Sequence, residues 1–172
     1  FYEIFDFPLI QGDRKTALDS PNKCVISEKL AKELFGKSDP ISQSIEFRDS
    51  VTLTVSAIME PMENTSLVNL KKKSADIIAN FDLMKYINPY QSKENVKMQN
   101  ATGTEIFLLC KPGCDLTKKT DDIEAFFKTF FWFYNLPGSD QHTAIIPFNE
   151  LYFSDAYSSS GSHINGDKKM VN

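Results

Sequence analysis

Few residues in this 172-residue chain are equipped for chemistry. His142 and His163 are its two histidines. Each sits in loop-like sequence with no acidic partner held beside it on a helix face, and a base or metal ligand needs a second group to orient it. Both read as solvent-exposed or structural. Asp121, Asp122 and Glu124 crowd the start of a helical pattern, where carboxylates complement the helix dipole. Glu60 and Glu63 fall in a polar loop. A glycosidase needs two carboxylates facing a sugar across a cleft, and neither group is spaced to suggest one. There is no Gly-rich phosphate loop, so the chain is not expected to hydrolyse ATP itself. A Gly-x-Ser-x-Gly nucleophile elbow is absent as well.

The three cysteines are Cys24, Cys110 and Cys114. No spacing among them makes a four-ligand zinc site. Cys110-Lys111-Pro112-Gly113-Cys114 spans a turn. Two readings stay open: a disulfide stapling the turn in an oxidising compartment, or a buried strand thiol beside an unrelated surface thiol. Lys71-Lys72-Lys73 reads as a solvated face, because three charges bind a membrane weakly without an apolar anchor.

The elements that would carry these groups follow from periodicity. Residues 1–12 are aromatic-rich and strand-like, ending at the Gly12-Asp13 turn signal. Ser27 is an N-cap and Glu28 suits the first turn. Leu30, Ala31, Leu34 and Phe35 then share one helical face, Gly36 suits the C-terminal cap, and Pro40 prevents continuation. Ile45–Arg48 and Val51–Met59 read as strands joined by an Asp49-Ser50 turn. Val51, Leu53, Val55, Ala57 and Met59 are expected on one face of the second strand, and Thr52, Thr54 and Ser56 on the other. Pro61 ends the ladder. A strand is expected at Ile77–Met84, a long exposed excursion at 88–102 and a buried strand at Thr104–Lys111. Next comes a helix at 121–135 with a capping-box-like start from Asp121 and Glu124. Phe126, Phe127, Phe130, Phe131 and Tyr134 form its stripe, which should pack against strands 104–110 and 143–148. Strand–helix–strand over 104–148 is βαβ grammar.

Composition bounds the class. Apolar residues make up 41% of the chain, including 14 phenylalanines, enough for a packed core. The formal charge of −4 argues against nucleic acid, whose phosphates need a basic face. No run approaches the roughly 18 apolar residues of a membrane span. Phe1-Tyr2-Glu3-Ile4-Phe5 lacks an initiator Met and the basic flank of a signal peptide, so the chain reads as part of a longer protein.

Taken in order, these segments resemble the periplasmic core domain of ABC permeases of the macrolide-exporter and FtsX-like class. The resemblance is carried by Phe5-Asp6-Phe7-Pro8-Leu9-Ile10-Gln11-Gly12-Asp13, Ala17-Leu18, Val25-Ile26, Ser27-Glu28-Lys29-Leu30-Ala31-Lys32-Glu33-Leu34-Phe35-Gly36 and Asp39-Pro40-Ile41. Ser42 stands where that pattern has glycine, and Ala57 replaces another glycine in a Val-x-Gly-Val strand. Val55–Met59 with Pro61 and Asn64-Thr65-Ser66, and Leu151-Tyr152-Phe153, extend the match.

The resemblance implies an α+β fold: a porter-like βαβ lobe with an inserted small β-rich lobe carrying one helix. Residues 1–12 would end a first porter-like half and 13–66 would form the β-rich lobe. Residues 67–155 would form the βαβ lobe and 156–172 a flexible membrane-proximal tail. It further implies a non-catalytic domain on the periplasmic side of the inner membrane, without cofactor or metal. Its partners would be a paired or identical permease subunit, a cytoplasmic ABC ATPase, and a periplasmic adaptor or exported substrate. Glu63, Asn64, Leu67, Tyr90 and Lys93 are the expected partner contacts. The alternative is a free-standing periplasmic binding or interaction module of the same fold.

Overall fold

The computed structural model describes residues 1–48, 51–62, 75–89 and 106–154. The fold is α+β. Five strands form one mixed sheet: β1 (Leu9–Gln11), β2 (Lys23–Ser27), β3 (Ser44–Phe47), β4 (Val51–Met59) and β5 (Ile77–Ala79). The order is β1-β4-β2-β5, with β3 also on β4. The long strand β4 is the axis. One edge pairs parallel with β2, while the other pairs antiparallel with β3 over Val51–Thr54 and with β1 at Ile58 and Met59. The turn expected at Asp49-Ser50 lies outside the described residues.

Helix α1 (Glu28–Phe35) follows β2 directly. Ser27 makes the handover. Its Oγ accepts the Leu30 N–H at 3.1 Å and donates to Asp76 Oδ1 at 2.8 Å. The Ser27 N–H donates to the Asp76 carbonyl at 2.9 Å. One buried hydroxyl therefore caps the helix, a role that contributes about 1 kcal/mol, and also holds the lead-in to β5. Gly36 closes the helix at φ 61°, its N–H donating to the Lys32 carbonyl. The sequence reading of this helix and its cap agrees with the structure.

β2 is buried along Cys24, Val25, Ile26 and Ser27, as expected of a central strand covered on both faces. Cys24, Ile26, Leu53, Val55 and Ile58 face α1, with Leu30, Phe35 and Leu83 around them. Val25, Ala57 and Met59 face the opposite way, onto Ala17, Met62 and the N-terminal residues Tyr2, Phe7 and Leu9. This corrects the single apolar face expected for β4. The β2–β4 register shifts between Val55 and Ala57, leaving Ser56 as an extra residue. A bulge of this kind reverses the alternation that follows it. The Ser56 hydroxyl lies 2.5 Å from the Ala17 carbonyl and 2.8 Å from the Cys24 carbonyl, and it donates into that pair.

Both departures from the glycine pattern lie beside the bulge. Gly12, at φ 100°, passes so close to β4 that a Cβ there would sit 2.5 Å from Ala57 Cβ and 2.7 Å from the Ser56 carbonyl oxygen. Ala57 keeps its methyl because Gly12 has none. Ser42 adopts φ 66°, the left-handed conformation that glycine tolerates best, while its N–H donates to the Val55 carbonyl at 2.8 Å.

Other expectations change. The strand expected at Ile77–Met84 stops at Ala79, because the Asn80 side chain accepts the Asp82 N–H and starts a 3₁₀ turn that runs into α2 (Met84–Ile87). Of residues 1–12 only Leu9–Gln11 is strand. The strands expected at Thr104–Lys111 and Thr143–Phe148 are not formed among their described residues. An apolar run becomes a strand only where a sheet edge accepts its N–H and C=O groups. Ile106, Leu108 and Leu109 are instead exposed. The parallel crossover lies at 23–59, where β2 and β4 run parallel with α1 between them.

Two outcomes follow for urea denaturation. Gly12→Ala is expected to lose roughly 1–3 kcal/mol through overpacking; an unchanged midpoint would show that the β1–β4 approach is loose. Ser42→Gly is expected to gain about 1 kcal/mol by relieving left-handed strain, and a loss would show that the turn does not carry that strain.

Candidate interaction surface

The second part of the chain is built differently. No described residue beyond Leu83 is buried. α3 (Thr120–Phe130) is preceded by a 3₁₀ turn over Leu116–Lys119, which Asp115 caps through the Thr117 N–H and hydroxyl. Asp121 and Asp122 occupy its first turn, yet the capping box expected from Asp121 and Glu124 is not used: no side chain caps this helix. The helix ends at Phe131, which is extended, and Trp132–Asn135 is a separate 3₁₀ turn. A helix reaching residue 135 is corrected accordingly.

Glu124 points to the returning chain instead. Its Oε2 accepts the Thr143 N–H at 2.9 Å, and its Oε1 pairs with Lys128 Nζ at 2.8 Å. His142 Nδ1 lies 3.8 Å from Glu124, and His142 Nε2 lies 3.1 Å from Asp140 Oδ1. His142 thus has two acidic neighbours, which helical spacing could not show because they come from a turn and from a separate helix. The Tyr134 hydroxyl and Thr143 Oγ1, 3.0 Å apart, complete the tie. The Lys128 hydrogen bond, followed by that of the Thr143 N–H, holds the Glu124 carboxyl below its ordinary range. These contacts dock a loop on a helix. Among the described residues no three His, Cys, Asp or Glu are grouped to hold a metal ion.

The aromatic stripe is divided. Phe127, Phe131, Phe133 and Tyr134 are half-buried against one another, with ring centroids of Phe127–Phe131 at 5.4 Å and Phe133–Tyr134 at 5.1 Å. Phe126 and Phe130 pair at 4.6 Å on the outer side. They are 57% and 40% exposed, and Trp132 is 53% exposed beside them. The burial expected for Phe126 and Phe130 against flanking strands is corrected, since those strands are not formed among the described residues. Leu136, Phe148 and Tyr152 add to the exposed apolar area.

This part meets the sheet through aromatic rings. Phe5, nearly buried, lies 5.0 Å from Phe107 and 5.9 Å from Phe148, which are themselves 6.0 Å apart. Arg14 fixes the Phe5 segment by an ion pair with Asp6, a 3.0 Å hydrogen bond to the Phe5 carbonyl, and a position over the Tyr2 ring. Burial pushes the Tyr2 phenol up to about 12.

Glu63, Asn64, Leu67, Tyr90 and Lys93, the contacts expected from sequence, lie outside the described residues, as do Lys71–Lys73 and His163. The exposed face of α3 was not among them. Part of its signal was Trp132, which falls off the main helical stripe and is exposed.

A mixed sheet buried on both faces, joined to a helical part without a core, defines an α+β domain. Residues 1–126 match the MacB-like periplasmic core domain family, and the chain belongs to it. As a member it is a periplasmic core domain. The crystal structure of a domain of a protein described as a permease, from Porphyromonas gingivalis, superposes with a TM-score of 0.52 at 19% identity and covers 99% of this chain. The chain spans 63% of that structure. No curated protein sequence matches it.

Two measurements test the geometry. Phe130→Ala is expected to cost less than about 1 kcal/mol and Phe5→Ala roughly 3–5 kcal/mol; equal losses would mean that both rings are core. Because the folded Glu124 carboxyl is held low, its contribution is full above the ordinary carboxylate value. It is lost as pH falls through and below that range. Amide exchange at Thr143 should therefore accelerate toward acid, after correction for the intrinsic rate. Protection that persists after Glu124 protonates would contradict the tie.

Proposed function

We propose that this domain is a non-catalytic relay that passes ATP-driven motion of permease membrane helices to a substrate or periplasmic partner. Family membership over residues 1–126 supports the setting. The observation that carries the relay reading is the contrast between the two parts. The sheet from β1 to β5 has cores on both faces, whereas residues 106–154 have none and expose Phe126, Phe130 and Trp132. A relay needs a stiff body and a contact surface that can adapt.

In this reading the whole protein sits in the inner membrane and pairs with a second permease subunit. A cytoplasmic ABC ATPase drives it, and the 13–66 lobe lies away from the bilayer. Residues 63–67 and 88–102 remain proposed outer contacts, and the exposed aromatic face of α3 joins them.

Cysteines placed in the 13–66 lobes of paired subunits of the full-length permease test the relay. Crosslinking with bismaleimide is expected to change at least several-fold when a non-hydrolysed ATP analogue binds. Equal crosslinking in both states would end the relay reading.

A further inference from the structure

The three thiols occupy two unlike environments. Cys24 is fully buried in β2, its Sγ donating to the Thr54 carbonyl at 3.7 Å, and burial pushes its thiol up to about 11. A sealed thiol of this kind is inert to exchange. Cys110 and Cys114 are both exposed. Between them Lys111-Pro112-Gly113 forms a closed turn, with the Cys114 N–H donating to the Lys111 carbonyl at 3.0 Å and Gly113 at φ 79°. Proline fixes one corner and glycine supplies the left-handed one, as a type II turn requires. The closed turn sets the two free thiols at its two ends, on the same side of a single Pro-Gly reversal. The odd count is thus resolved by structure: two accessible neighbours and one enclosed thiol.

We propose that Cys110 and Cys114 are joined by a disulfide that closes this turn and anchors the start of the α3 part. The position suits a covalent tie. The turn leads directly into the Asp115-capped 3₁₀ segment and α3, in a region with no buried residue to hold it, and disulfides typically reinforce segments that lack a sufficient core. The reaction is ordinary exchange. One cysteine thiolate attacks a sulfur of an oxidant disulfide and releases a thiol, leaving a mixed disulfide. The second thiolate then attacks the protein-side sulfur, forming the Cys110–Cys114 bond and releasing the second thiol. Two electrons and two protons leave the cysteines, and one oxidant disulfide becomes two thiols. In the cell the oxidant is a disulfide-form thiol oxidase. That supply rests on the extracytoplasmic placement, whereas the geometry belongs to the chain.

The purified chain, treated with glutathione disulfide and then denatured and alkylated with N-ethylmaleimide, is expected to lose two hydrogens. It should carry one maleimide, on Cys24, with Cys110 and Cys114 linked to each other in the peptide map. Cys110→Ser should stop at a glutathione adduct on Cys114. Two stable glutathione adducts on the unmodified chain, or a bond involving Cys24, would overturn the proposal. In cells making the full-length protein, a membrane-impermeant maleimide should label this pair only after reduction. Bridging in the purified chain combined with labelling in cells without reductant would overturn the oxidising placement and leave the turn geometry standing.

Discussion

Ser56 is one residue more in β4 than β2 can pair, and the resulting bulge turns over every side chain that follows it. Without it β4 would present Val51, Leu53, Val55, Ala57 and Met59 to one side and Thr52, Thr54, Ser56 and Ile58 to the other. With it, Leu53, Val55 and Ile58 face α1 while Ala57 and Met59 face the N-terminal segment. One strand thereby nucleates two cores. The Ser56 hydroxyl, set between the Ala17 and Cys24 carbonyls, donates into that pair and ties β4 to the turn before β2. Gly12 and Ala57 then divide the remaining space between them, a backbone approach that a second methyl would block.

The second core places everything downstream. It holds Tyr2, Phe7 and Leu9 on the sheet, and so positions Phe5, whose ring meets Phe107 and Phe148. The α3 part therefore reaches the sheet through edge-on and tilted rings rather than through a hydrogen-bonded ladder. Aromatic pairs of this kind contribute about 0.5–1.5 kcal/mol each beyond their area, far less than a continuous sheet. A stiff body joined to a weakly held apolar surface is the mechanical contrast that the relay reading uses.

How much of this could be read from the sequence depends on how local each signal is. The Ser27 cap, the α1 stripe and the β3–β4 pair are set by neighbours within a few residues, and they were legible. So was the family, from the ordered run between Phe5 and Ile41. The Ser56 bulge was not legible, because strict alternation hides one inserted residue until the partner strand is known. Residues 104–111 and 143–148 misled for a related reason. Their apolar runs satisfy a strand pattern, but a strand also needs an edge, and edges are not written in the segment itself. His142 was read as lacking an acidic partner because Glu124 approaches it from a different element. The exposed side of α3 was half legible in Trp132, whose position off the stripe had no place in a small sheet's core.

In the proposed relay, β2 and β4 with their two cores move as one body while the α3 surface responds. Hydrogen exchange of the full-length permease with its ATPase, compared with and without a non-hydrolysed ATP analogue, tests this directly. Amides of Lys23–Ser27 and Val51–Met59 should keep the same protection in both states, while those of Thr120–Phe131 change. Altered protection within β2 and β4 on nucleotide binding, with α3 unchanged, would rule out a stiff body beneath a responsive α3 surface.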